Sequence, residues 1–159
     1  MKSVYLETTI ISYLAALPSR DLIKAARQQI AWEWWNQRRQ EFDLYVSELV
    51  VEEASGGDAQ AASRRMDIIE EIPILDVSAE AERLAADLMG ECLLPAGAVD
   101  DALHLAVAAS HGMDYLLTWN CKHLANAELI HIFETRLLDR GLQAPFICTP
   151  DELLEKIDV

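Results

Sequence analysis

The chain has 159 residues, a formal net charge of −14 and 52% hydrophobic residues. That balance excludes a disordered chain, and the length sets one domain over 1–159 as the expectation, with a core that needs no disulfides. No apolar run approaches the ~20 residues that cross a bilayer, no signal peptide precedes the first strand pattern, and Cys92, Cys121 and Cys148 lack metal-type spacing, which points to a cytoplasmic protein without a membrane partner.

Taken in order, Lys2 to Leu6 reads as a strand, and Thr8 or Thr9 caps a helix through Ile10, Ile11, Tyr13 and Leu14 that ends near Pro18. Ser19 or Asp21 starts a long helix to about Gln40, with Ile23, Ala26, Ile30 and Trp34 inward. Phe42 to Val46 is the second strand. Ser47 caps a helix through Glu53 that stops at Gly56-Gly57, and Asp58 begins another with Ala62, Met66 and Ile69 on one face. Pro73 to Val77 reads as a third strand, and Ser78 caps a helix to about Cys92 with Ala81, Leu84, Ala85 and Leu88 inward. Pro95 and Gly97 break the pattern, and a helix runs from near Val99 to His111-Gly112. Asp114 to Thr118 is a fourth strand, Ala125 to Arg140 a helix, and Pro145 to Cys148 a fifth strand. Thr149, Pro150 and Glu152 combine an N-cap, a proline at the first helical position and a capping box.

Short apolar strands alternating with helices imply a mainly parallel sheet of about five strands, covered on both faces. Ligands of such sheets bind outside the carboxyl ends of the strands. Glu7 follows the first strand, Glu53 lies in the helix after the second, Asp100 and Asp101 open a helix, and Asn120 follows the fourth strand. Each acid alone reads as a cap or a solvated residue. Together they occupy one rim, where oxygen ligands could hold a divalent cation. His104, three residues after Asp101, could support that site by hydrogen bonding. There is no GxGxxG, no GxxxxGK[ST] and no GxSxG, so dinucleotide, P-loop and serine-hydrolase sites are unsupported.

The acidity is an objection to a nucleic-acid partner, since phosphate binding rests on Lys and Arg. Bound cations would offset it, and Arg38-Arg39 and Arg64-Arg65 are local basic pairs. A basic protein partner is the other use for such a surface. Trp32 and Trp35, three apart and off the inward face, read either as packed under a neighbouring helix or as an apolar patch for a partner.

Four blocks carry a resemblance. Val4 to Leu14, Tyr45 through Glu53, Asp101 to Ala106 and Asp114 to Asn120 are similar, in order and spacing, to the four blocks of PIN-domain ribonucleases, and most of all to VapC toxins. The resemblance implies a three-layer α/β/α PIN-like domain and a Mg²⁺- or Mn²⁺-dependent endonuclease acting on RNA. Glu7, Glu53 and Asp101 would be its metal-binding and catalytic acids, Asn120 would reach the metal directly or through water, and Asp100 would bind a second cation or cap the helix. It also implies a homodimer and a small antitoxin. Two positions depart from the pattern: Glu7 replaces the usual Asp, and His123 stands where many relatives have a fourth acid. A PIN-like module that binds protein and has lost catalysis is the alternative. A phosphate-accepting signalling domain fits less well, because no strand ends in Asp.

Overall fold

The structure, a computed structural model, describes residues 1–157. Its elements are β1 (Lys2–Leu6), α1 (Thr8–Ala15), α2 (Leu22–Arg38), β2 (Phe42–Ser47), α3 (Glu48–Ala54), α4 (Ala59–Ile69), β3 (Ile74–Leu75), α5 (Ala79–Glu91), α6 (Val99–Ser110), β4 (Tyr115–Leu117), α7 (Ala127–Leu138) and β5 (Phe146–Cys148). The strands pair in the order β3-β2-β1-β4-β5, all parallel. The apolar strands require this arrangement: Val4, Tyr5 and Leu6 of central β1 are fully buried, so both faces of the sheet need cover. The helices supply it in two groups, α1 with α2, α3 and α4, and α5 with α6 and α7. The chain leaves β1 toward β2 and β3, then returns to the other side of β1 at β4. That reversal opens a crevice at the carboxyl ends of β1 and β4.

The α/β architecture agrees with the pattern in the sequence, and several details differ. The N-cap of α1 is Glu7 rather than Thr8 or Thr9; its carboxylate accepts the Thr9 N–H. On α2 the inward line is Gln28, Ala31 and Trp34, while Ile23 and Ala26 face outward. Gln28 takes an inward place because the preceding loop needs backbone partners: its amide accepts from Ser19 N at 2.9 Å and donates to Leu17 O at 3.0 Å. Trp32 is half-buried and its indole N–H donates to Leu14 O, and Trp35 lies under the Arg39 guanidinium at 4.7 Å. Both tryptophans therefore take part in intramolecular packing. The third strand shortens to two residues, and the capping box at Thr149 opens a 3-10 turn, Pro150–Leu153.

The arginine pairs are also structural. Arg38 pairs with Glu41 and donates to the carbonyls of Leu153 and Leu154. Arg39 donates to Trp35 O, Arg64 to Ala15 O, and Arg65 to Ala54 O and Gly56 O, so three guanidiniums satisfy carbonyls at helix ends.

At the amino ends of the strands, Asp114 Oδ2 accepts from Ser3 N at 2.8 Å and Ser3 Oγ at 3.1 Å, tying β4 to β1. The Ser3 N–H, with Lys2 nearby, holds the Asp114 carboxyl below its ordinary value. A depressed folded-state value adds stability above the unfolded value of about 3.9, and that stability disappears as pH falls through the folded value. Urea unfolding of Asp114→Asn beside the parent chain is expected to show a constant deficit above about pH 5 that closes in acid. An equal deficit at all pH values would contradict this.

Candidate active site

The crevice between the carboxyl ends of β1 and β4 is lined first by Glu7. It follows β1 directly and is 3% exposed. A buried carboxylate needs strong partners, and it has three. Oε1 accepts from the hydroxyls of Thr9 and Thr118 at 2.5 Å each, and Oε2 from Thr9 N at 3.0 Å. Each hydroxyl is itself tied down, since Thr9 Oγ1 accepts Trp119 N at 2.8 Å and Thr118 Oγ1 accepts Asn120 N at 2.9 Å. Thr118 directly follows the neighbouring strand, β4. The acid, two threonines and the 118–120 backbone thus form one locked corner.

Glu53 comes from α3, across β2. Its Oε1 accepts from Thr8 Oγ1 at 2.7 Å and lies 2.6 Å from His104 Nε2. His104, on α6, is 1% exposed, and its other nitrogen lies 2.6 Å from the Tyr5 hydroxyl, which in turn lies 2.7 Å from Ser47 Oγ. Proton directions follow from chemistry. The Glu53 carboxylate only accepts, so Nε2 donates to it, and the Tyr5 hydroxyl bridges Nδ1 and Ser47 Oγ. Ser47 Oγ also accepts from Val50 N as the cap of α3. Ser47, Tyr5, His104 and Glu53 thus form one continuous hydrogen-bonded chain. Burial pushes the Tyr5 phenol far up, which keeps it a donor. At Glu53, burial acts to raise the carboxyl, but the hydrogen bond and electrostatic attraction of His104, with the hydrogen bond from Thr8, outweigh it and hold the group below its ordinary value. His104 also lies 4.0 Å from Glu7 Oε2, so one imidazole edge faces both acids.

Asp101 lies in the first turn of α6, but it does not cap the helix. The N-cap position is Ala98, without a side-chain bond, and Asp101 Oδ2 instead lies 2.8 Å from His123 Nδ1. Asp100 is exposed and caps nothing either. Asn120 Oδ1 accepts the N–H groups of Lys122 and His123, so its carbonyl shapes the loop that carries His123. The rim expected from the sequence thus divides into two corners: Glu7 and Glu53 joined by His104, and Asp101 joined to His123. Among the described residues, no three His, Cys, Asp or Glu side chains stand together as a ready metal cage. The donor chemistry still suits a hard divalent ion, because the set is carboxylate oxygen and Glu53 Oε2 and Asp101 Oδ1 carry no protein hydrogen bond among the described residues.

Reading the sequence alone missed Tyr5, Ser47, Thr9 and Thr118 as parts of the site. Hydroxyls at the carboxyl ends of three strands that the topology makes neighbours were the available signal.

No family model matches the chain, and no curated protein matches it. Solved structures share its fold. VapC20 of Mycobacterium tuberculosis, a toxin that cleaves the sarcin-ricin loop, superimposes with a TM-score of 0.60 at 16% identity, covering 76% of this chain and 92% of that one. A chain of VapBC2 from Rickettsia felis, bound to a DNA fragment from its promoter, superimposes at 0.58 and 15% identity, covering 92% and 98%. A chain of VapBC-1 from nontypeable Haemophilus influenzae does so at 0.57 and 18% identity, covering 94% and 98%. The chain has the fold found in these VapC and VapBC structures.

Proposed function

We propose that this chain is a divalent-metal-dependent endoribonuclease that hydrolyses phosphodiester bonds in RNA, acting in the cytoplasm as the toxin of a toxin–antitoxin pair. The observation that carries this reading is Glu7 and Glu53 meeting at His104, with Asp101 paired to His123, in a fold shared with VapC toxins. The neighbours from Rickettsia and Haemophilus support a small antitoxin as partner, and a homodimer is the expected assembly. Glu7, Glu53 and Asp101, with Asp100 at the edge, would hold Mg²⁺ or Mn²⁺. When bound, such an ion acidifies water and offsets negative charge on phosphate.

The protein's own groups do the positioning. The two threonines keep Glu7 in one rotamer at the floor of the site. His104 and Thr8 keep Glu53 ionised and aimed across it. Asn120 sets the loop that brings His123 to Asp101.

Purified protein incubated with total RNA and Mn²⁺ is expected to cleave, to stop in excess EDTA and to resume when Mn²⁺ is restored. Asp101→Asn is expected to lose more than the ~10–100-fold that removal of an outer partner costs. Cleavage that survives EDTA or this substitution would overturn the assignment. Absence of both cleavage and Mn²⁺ binding in the parent chain would favour the protein-binding module, the reading to which the divided rim otherwise lends itself.

A further inference from the structure

We propose that Lys24, Arg27 and Lys122 form a cationic shelf along which single-stranded RNA enters the acidic crevice. The proposal rests on the nuclease reading and answers the question that the charge of −14 poses, namely where so acidic a protein grips a polyanion.

Most of the basic residues are already committed. Lys2, Arg38, Arg136, Arg140 and Lys156 lie within 4.0 Å of carboxylates. Arg39, Arg64 and Arg65 give their N–H groups to backbone carbonyls. Among the described residues, five cations remain with neither kind of partner: Arg20, Lys24, Arg27, Arg83 and Lys122. Four of these five belong to the first turns of α2, its approach, or the loop after β4. Of these, Arg27 reaches the loop after β4, which carries Lys122.

The geometry links this group to the crevice. The Arg27 guanidinium lies 5.5 Å from the centre of the Trp119 ring, and one of its nitrogens is 3.9 Å from Cys121 Sγ. Trp119 is 7% exposed and packs on Tyr13 of α1 at 6.1 Å. Its backbone N–H donates to Thr9 Oγ1, the same oxygen whose proton goes to Glu7. Arg27 is thus fixed on an aromatic plate next to the residue, Thr118, that holds the buried acid of the site. A guanidinium held over an aromatic ring keeps N–H donors for phosphate. Lys24 is exposed one turn earlier on α2, and Lys122 is exposed directly after Cys121. The adjacent carboxylate, Asp21, is occupied as the N-cap of α2, where Oδ1 accepts Lys24 N at 2.9 Å.

The test uses full-length Asp101→Asn, so that binding is read without cleavage. A fluorescent single-stranded RNA oligonucleotide is titrated at several salt concentrations. Adding Lys24→Ala, Arg27→Ala and Lys122→Ala together is expected to weaken binding about tenfold or more, and to flatten the salt slope by ~0.7 for each phosphate left without its cation. Lys24→Glu and Lys122→Glu, at exposed positions that cannot disturb the core, are each expected to weaken it as well. Unchanged affinity and slope in the triple variant, with the background protein binding RNA, would overturn the shelf and leave the nuclease reading intact. A parent chain that neither cleaves nor binds RNA would remove the nuclease reading, and the shelf with it. Binding of an acidic peptide in place of RNA, abolished in the same variants, would overturn the proposal in favour of a protein partner.

Discussion

Replacing His104 by alanine is expected to lower RNA cleavage by roughly 10–100-fold while leaving every acid in place, the loss typical of an outer partner that orients a metal-site ligand. The imidazole is the one group that spans the site from the buried Tyr5 hydroxyl to the half-exposed Glu53 carboxylate, at 2.6 Å on both sides. Without it, Glu53 keeps only the Thr8 hydroxyl and regains its rotamers. The Tyr5 hydroxyl, in a fully buried residue, loses one of its two partners and keeps Ser47 Oγ, at a cost of about 0.5–1.5 kcal/mol. His104→Gln separates the two consequences. Its amide nitrogen falls close to the place of Nε2 and can still donate to Glu53, but nothing replaces Nδ1 for Tyr5. Gln is therefore expected to recover cleavage more than stability. Equal cleavage by His104→Ala and the parent chain, or no recovery with Gln, would show that Glu53 does not depend on this contact. Half-saturating Mn²⁺, measured in parallel, should rise in the alanine variant and fall back with Gln.

Trp34→Ala is expected to cost about 3–5 kcal/mol, which for a chain of this size lowers Tm by roughly 6–20 °C. Trp34 is fully buried on the inward line of α2 and stacks on Phe42 at 6.0 Å, and Phe42 is covered in turn by Arg38 at 5.5 Å. Truncation opens a cavity under the helix that also carries Lys24 and Arg27. The indole N–H of Trp34 has no partner among the described residues. Trp34→Phe therefore sacrifices no hydrogen bond and is expected to cost far less than alanine. Thermal unfolding by circular dichroism reads both; a phenylalanine variant as unstable as alanine would mean that the indole N–H matters after all.

The fold was legible because it rests on local signals. Runs such as Val4-Tyr5-Leu6 and Leu116-Leu117 are apolar on every residue, which only a strand covered on both faces accommodates. Ser47, Asp58 and Ser78 cap the helices that follow them, as their side chains dictate. The reading was weaker on α2, where apolar spacing alone set Ile23 inward; a polar residue, Gln28, took the place because loop backbone had to be satisfied there.

The site is a different matter. The sequence by itself determined that acids stand at the ends of successive elements, and that parallel strands carry those ends to one rim. Which acid touches which partner depended on residues about 20 to 110 positions apart, and no local pattern encodes such pairs. Tertiary structure decided that Glu7 reaches Thr118 at the end of the adjacent strand, that His104 joins Glu53 to Tyr5, and that Asp101 meets His123 instead of capping its helix. The physical reason is the cost of burial: once the strands are packed, each buried polar group must find a partner across the crevice, and the sheet order alone determines which partners are near.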